Sequence, residues 1–240
     1  KREKVKPLIT THKDNLTAYS VILVHPNAER TILSYKGEGQ HFDVESIPWK
    51  KLKAKWFFFD SLGGNWDLLQ RAFEHTTTRN FKIAFNPGGK ELAHGLEKLK
   101  PYLAEVDIFS VNKEEGEALL SNNLEVISKK SAEEVLEELN KPVKGIVVLT
   151  LGPEGVLVSD KKNVYKTGTP DSPRVERTGA GDAFVSGFVS QFILSNGDIV
   201  KSIQFATANA SSVVAQYGSK AGLLQKGDFG PWPLVDVEKI

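Results

Sequence analysis

The chain contains no cysteine and no methionine. Without cysteine there is no disulfide, no zinc–thiolate or iron–sulfur centre and no cysteine nucleophile. The five histidines (His12, His25, His41, His75 and His94) are scattered without the spacing of metal ligands. No apolar run approaches the roughly 20 residues of a membrane-spanning helix, and no leader pattern opens the chain, so a cytoplasmic protein is expected. Charge of one sign is lacking too: 31 Lys and Arg face 30 Asp and Glu, a net charge of +1. That balance speaks against a general nucleic-acid binder or a membrane-surface protein. Three nucleotide and hydrolase signatures are missing. Gly89-Lys90 is followed by Glu91, which excludes a P-loop; Gly179-Ala180-Gly181 lacks the third glycine of a dinucleotide fingerprint; and there is no G-x-S-x-G elbow. At a usage of roughly 2%, about five methionines are expected in a chain of this length. Their absence reads either as an N-terminal truncation or as residues dropped from within.

What remains is an ordinary globular composition. The 240 residues are 40% hydrophobic and 25% charged, enough for one large domain with a sizeable core. Residues 17–24 and 30–35 are rich in β-branched and aromatic side chains and flank His25-Pro26-Asn27-Ala28-Glu29, which reads as a hairpin loop. From Trp56 onward, apolar runs at 56–60, 82–86, 107–112 and 145–151 alternate with helical patterns at 65–76, 89–103, 113–121 and 131–140. This alternation predicts a doubly wound, mostly parallel α/β sheet with helices on both faces. A turn at 152–155 leads into strands at 156–159 and 163–168, an antiparallel edge, and two helices close the chain. Ligands of such sheets bind beyond the carboxyl ends of the strands. The tips there are Ser61-Leu62-Gly63-Gly64-Asn65, Asn86-Pro87-Gly88-Gly89, Asn112 and Gly152.

Three segments carry candidate chemistry. In Arg177-Thr178-Gly179-Ala180-Gly181-Asp182, two glycines sit in a turn that opens an apolar helix. Their amides and the helix dipole suit an anion, and Asp182 beside them suits a proton acceptor. A plainly capped helix explains the same residues. An aspartate at such a position is expected to titrate low. Asn112 and Glu115 are three apart, so both can face one side of a first turn and offer oxygens to a hydrated Mg²⁺. The alternative is a capping box. Leu149-Thr150-Leu151-Gly152-Pro153-Glu154-Gly155 is a strand running into a glycine turn, a phosphate or ribose contact or an ordinary β-turn. Small residues at Ala206, Ala208, Asn209, Ala210, Ser211 and Ser212 leave room for a flat ring or for close helix packing.

Taken together and in this order, the TGAGD turn, the upstream N-x-x-E and the TLGPEG turn between them resemble the ribokinase-like (pfkB) carbohydrate kinases, from about 17 to 222. The resemblance implies an ATP-dependent kinase that transfers the γ-phosphoryl group to a primary hydroxyl of a sugar. It makes Asp182 the catalytic base and Gly179, Ala180 and Gly181 the anion hole. Asn112 and Glu115 would organise Mg²⁺ through water. Thr150 and Gly152 would meet the nucleotide, and Asn209 lies in the helix that borders adenine. Gly63, Gly64 and Asn86 fall on the acceptor side. A single ribokinase-like domain over 1–240 is implied, with the family's N-terminal part absent, strands of about 17–36 in a small β lid, and a homodimer through those strands. Glu176 and Arg177 stand where the family has Asp-Thr, a departure that speaks against K⁺ activation. No glutamate occurs at 61–64, so ribose itself is not supported. The alternatives are a nucleoside kinase of the same family and a catalytically silent nucleotide-binding relative.

Overall fold

The computed structural model describes residues 5–8, 16–25, 30–35, 37, 43–121 and 130–240. Two strands, β1 (Tyr19–Val24) and β2 (Arg30–Tyr35), form an antiparallel pair in register Tyr19↔Tyr35 to Val24↔Arg30. Of the loop expected at 25–29, residues 26–29 lie outside the described residues. Then follow β3 (Trp56–Phe59), α1 (Trp66–Thr77), β4 (Lys82–Phe85), α2 (Gly89–Leu92), α3 (Leu96–Leu103), β5 (Ile108–Asn112), α4 (Lys113–Ser121), α5 (Ala132–Asn140) and β6 (Ile146–Thr150). The chain continues through β7 (Val156–Ser159), β8 (Val164–Thr167), α6 (Ala180–Leu194), α7 (Ile199–Val214) and β9 (Glu238–Lys239).

The second sheet has seven strands in the order β3-β4-β5-β6-β7-β8-β9. Its first four strands are parallel and the rest antiparallel. Neighbouring residues on a strand point to opposite faces, so a strand covered by helices on both sides must be apolar throughout. Phe109, Val147 and Leu157 enter one core with Leu69, Phe73, Leu99, Leu119 and Leu136 from α1, α3, α4 and α5. Ile108, Val148 and Val158 enter the other, with Phe184, Phe188 and Ile203 from α6 and α7. This is the expected doubly wound arrangement. No helix among the described residues is long and apolar enough to cross a membrane.

Two expectations are corrected. The single helix read at 89–103 is two helices, because Gly95 adopts φ 79° and breaks the path between α2 and α3. The strand at 163–168 is not the sheet edge, since β9 pairs with it (Lys166↔Glu238). Two residues are too short for any periodicity to announce. Because β3 to β6 run parallel, their carboxyl ends share one edge of the sheet. The polar residues delivered there are Asp60, Asn86, Asn112 and Thr150.

Candidate active site

A cleft of about 340 Å³ opens at that edge, with Phe58, Asp60, Asn86, Asp182, Ser219 and Lys220 on its walls. Its floor is the start of α6. Gly179, the N-cap, has φ 84°, and a Cβ there would collide with the Ser219 carbonyl oxygen. Only glycine fits that turn. Below it, the Ala180 amide donates to Arg177 O (3.2 Å) and the Ala183 amide to Gly179 O (2.8 Å). The amides of Gly181 and Asp182 meet no acceptor among the described residues, and a Cβ on Gly181 would have nothing within 4 Å. The start of α6 thus keeps two backbone donors without an acceptor among the described residues, while the Ala180 amide closes the entry turn. Glu176, 2% exposed, braces this turn: its carboxylate accepts from the Thr178 amide (2.6 Å) and the Gly218 amide (3.4 Å).

The carboxylate of Asp182 does not titrate low. Burial against the cleft wall raises its pKa above 3.8, and the charge of Asp60 raises it further. Desolvation disfavours the charged form, opposite in sign to the pull expected of a helix end. Glu115 is raised above 4.5 for the same first reason, opposed by the Asn112 amide and reinforced by the charges of Glu114, Asp182 and Asp60. Glu115 thus feels the charges of Asp182 and Asp60 across the sheet edge, and Asp182 that of Asp60.

Asn112 and Glu115 form the reciprocal capping arrangement at the start of α4. The Asn112 amide donates to Glu115 Oε2 (2.9 Å) and the Glu115 amide to Asn112 Oδ1 (2.8 Å). Glu115 Oε1 accepts no hydrogen bond among the described residues. No group of three or more His, Cys, Asp or Glu among the described residues forms a direct metal cage. An unengaged carboxylate oxygen in a patch of surplus negative charge suits a hydrated Mg²⁺ held through its waters.

The other expected residues separate. Asn86 lines the cleft and its Nδ2 donates to Ser110 O (2.8 Å). Gly63 (φ 71°) and Gly64 (φ 77°) shape the loop after β3 but do not form the cleft wall. Thr150 ends β6, and Gly152 follows with φ 58° and open space around its Cβ direction. Asn209 is buried, with Nδ2 donating to Ala183 O (2.8 Å) and Oδ1 accepting from the Leu224 amide (2.8 Å). Its place is that of a tie between the two helices and the loop behind the cleft. Sequence reasoning missed Asp60, Ser219 and Lys220. The signal for Asp60 was a carboxylate closing the apolar run Trp-Phe-Phe-Phe.

The family profile described as pfkB family carbohydrate kinase matches residues 3–226. An uncharacterized sugar kinase of Archaeoglobus fulgidus is 27% identical over 146 residues, which are 61% of this chain and 55% of that protein. A Burkholderia thailandensis nucleoside kinase solved with inosine superposes with a TM-score of 0.72 at 16% identity, over 90% of this chain and 68% of that one. An Escherichia coli protein described as a ribokinase II, solved with ATP and Mg²⁺, gives 0.69 at 17% identity, over 85% and 67%. The matched segment of the Archaeoglobus relative is little more than half its length. A TGAGD turn opening α6, an N-x-x-E pair at the tip of β5 and a match over nearly all of 1–240 lead to one assignment: the chain belongs to the pfkB family of carbohydrate kinases and has their ribokinase-like fold.

Proposed function

We propose that the chain forms the phosphoryl-transfer site of an ATP-dependent kinase whose acceptor is a primary hydroxyl of a sugar or sugar derivative. The observation that carries this reading is the pair of unpaired amides at Gly181 and Asp182 at the start of α6, beside the cleft that Asp182 lines. Phosphoryl transfer passes through a loose transition state, so positioning and charge neutralisation do most of the catalysis. The two amides and the α6 dipole hold the transferring group. The Asp182 carboxylate orients the acceptor hydroxyl and takes its proton as the oxygen bonds to phosphorus. A raised pKa makes it a better base than an exposed aspartate. Asp60 and Asn86 offer hydrogen bonds to other hydroxyls of the acceptor. Thr150 and Gly152 form the nucleotide side, and Asn209 acts there through the helices it ties. Mg²⁺, bridged by water to Glu115 and Asn112, would neutralise phosphate charge.

A nucleoside acceptor is the second reading. It is favoured by Phe58, a residue 43% exposed that lines the cleft, where a base can stack. A silent relative is disfavoured, because a carboxylate on the cleft wall beside an anion cradle serves nothing in mere nucleotide binding. Release of ADP measured across a panel of sugars and nucleosides separates the three. Turnover with a sugar supports the first reading, turnover with nucleosides alone replaces it by the second, and ATP binding without turnover leaves the third.

Asp60→Asn removes the charge that helps raise Asp182. The acid limb of kcat/KM is therefore expected to move to lower pH, because a base with a lower pKa stays ionised further into acid. An unmoved limb would show that another group controls it.

The β1–β2 pair exposes Tyr19, Val21, Leu23, Leu33 and Tyr35 on one face, each 45–59% accessible. A two-stranded sheet is marginal alone in water, and such a face is stabilised by a partner. We propose that it pairs with the same face of a second copy and closes over the cleft as a lid that excludes water. Light scattering is expected to give a dimer, and Val21→Lys with Leu33→Lys a monomer. A wild-type monomer across a wide concentration range would contradict this.

A further inference from the structure

We propose that Glu91 is a positioning residue for the acceptor side of the cleft: one buried carboxylate fixes the strand tips that present Asp60 and Asn86. This rests on the kinase reading above. Glu91 is 1% exposed. Its Oε1 accepts from the amides of Leu62 (3.0 Å) and Gly64 (2.6 Å), and its Oε2 from the Ser61 hydroxyl (3.1 Å) and the Gly88 amide (3.0 Å). The Gly63 amide donates to Ser61 Oγ (3.3 Å). All three amides of 62–64 therefore end on this carboxylate, directly or through one hydroxyl.

A glutamate third in a helix completes a capping box with a single bond, here to the Gly88 amide. The other three bonds reach a segment 27–30 positions earlier and do nothing for α2. They join two tips. Ser61 follows Asp60 directly, and Pro87-Gly88 follows Asn86 directly. These are the two polar residues that β3 and β4 bring to the cleft beside Asp182. The backbone is shaped for the junction. A Cβ on Gly88 would strike the Ser61 hydroxyl, and Gly64, at φ 77°, lies against the Lys90 side chain. A buried carboxylate with four donors is well compensated, whereas the same donors without it are left desolvated and unpaired. The junction would then rearrange and carry Asp60 and Asn86 with it. The tips of β5 and β6 and the start of α6 make no hydrogen bond to Glu91 among the described residues. The effect therefore falls on the acceptor and not on ATP.

Glu91→Gln keeps the shape but sets an NH₂ group against two of the donors. The acceptor KM is expected to rise at least tenfold with the ATP KM within twofold. Amide hydrogen exchange at 62–64, measured without substrate, is expected to quicken at least tenfold while β6 and α7 stay protected. Ser61→Ala removes only the hydroxyl relay and should give a smaller rise in the same KM. An unchanged acceptor KM overturns the proposal. Equal rises in both KM values, or a loss of protection throughout, reduces Glu91 to a fold-holding residue and overturns it as well. Unaltered exchange at 62–64 overturns the clamp itself. A wild-type chain that turns over no acceptor overturns the kinase reading, and the positioning role with it, whatever the exchange shows.

Discussion

Asp182→Asn is expected to lower kcat by roughly 10²–10⁴-fold, the usual worth of a positioned general base. Asparagine keeps the size and the hydrogen-bonding reach of the side chain but cannot take the hydroxyl proton. The affinity for ATP should change little, because the amides of Gly181 and Asp182 belong to the backbone and remain. Stability gives an independent sign. The pKa of Asp182 is raised in the folded state, so the protein carries a cost for ionising it. The favourable contribution of the protonated form is complete below the unfolded pKa of about 3.9 and is lost as pH rises through the raised folded value. At neutral pH the asparagine variant should therefore melt no lower than wild type, and any gain should vanish on acidification below that range. Residual turnover near wild type would remove Asp182 from the reaction. A large fall in melting temperature would make it a structural residue.

The two glycines of the cradle should respond in opposite ways. At Gly181 a new Cβ meets nothing within 4 Å, in the turn proposed to hold the transferring group. Gly181→Ala also replaces glycine inside a helix, worth up to about 1 kcal/mol in favour of the variant. Its melting temperature should hold or rise, while kcat falls by roughly 10²–10³-fold, comparable to losing one donor of an oxyanion hole. At Gly179 the φ of 84° and the Ser219 carbonyl leave no place for a side chain. Gly179→Ala should lower the melting temperature by about 2–10 °C, from a strain of ~1–3 kcal/mol in a chain of this size. A stable Gly181→Ala enzyme of full activity would show that this turn is not where chemistry happens.

The parts of this site that sequence reasoning reached are local ones. Gly179 and Gly181 announce a turn before the apolar helix that begins at Ala180, and Asn112 with Glu115 lie three apart in one first turn. The parallel core was legible because Val147 to Leu149, and Ile108, Phe109 and Val111, are apolar on both faces. What escaped depends on distant segments meeting. Asp60 becomes a neighbour of Asp182 only through the strand order β3-β4-β5-β6, and no spacing records that. Glu91 escaped in the same way, because its bonds to 61–64 span 27–30 positions. The direction of the Asp182 pKa was mistaken for a related reason. The helix end is written in the chain, whereas the desolvation that raises this pKa comes from packing around the cleft. Asn209 was read from its helix, but its amide turns inward to Ala183 and Leu224.

The most direct test of the account is a crystal structure with ADP, Mg²⁺ and a planar fluoride analogue of the transferring phosphoryl group. The account predicts the analogue within hydrogen-bond reach of the Gly181 and Asp182 amides, the Asp182 carboxylate on its open side, and a hydrated ion bridging the phosphates to Glu115. An analogue bound away from those amides, or an ion that ignores Glu115, would contradict it.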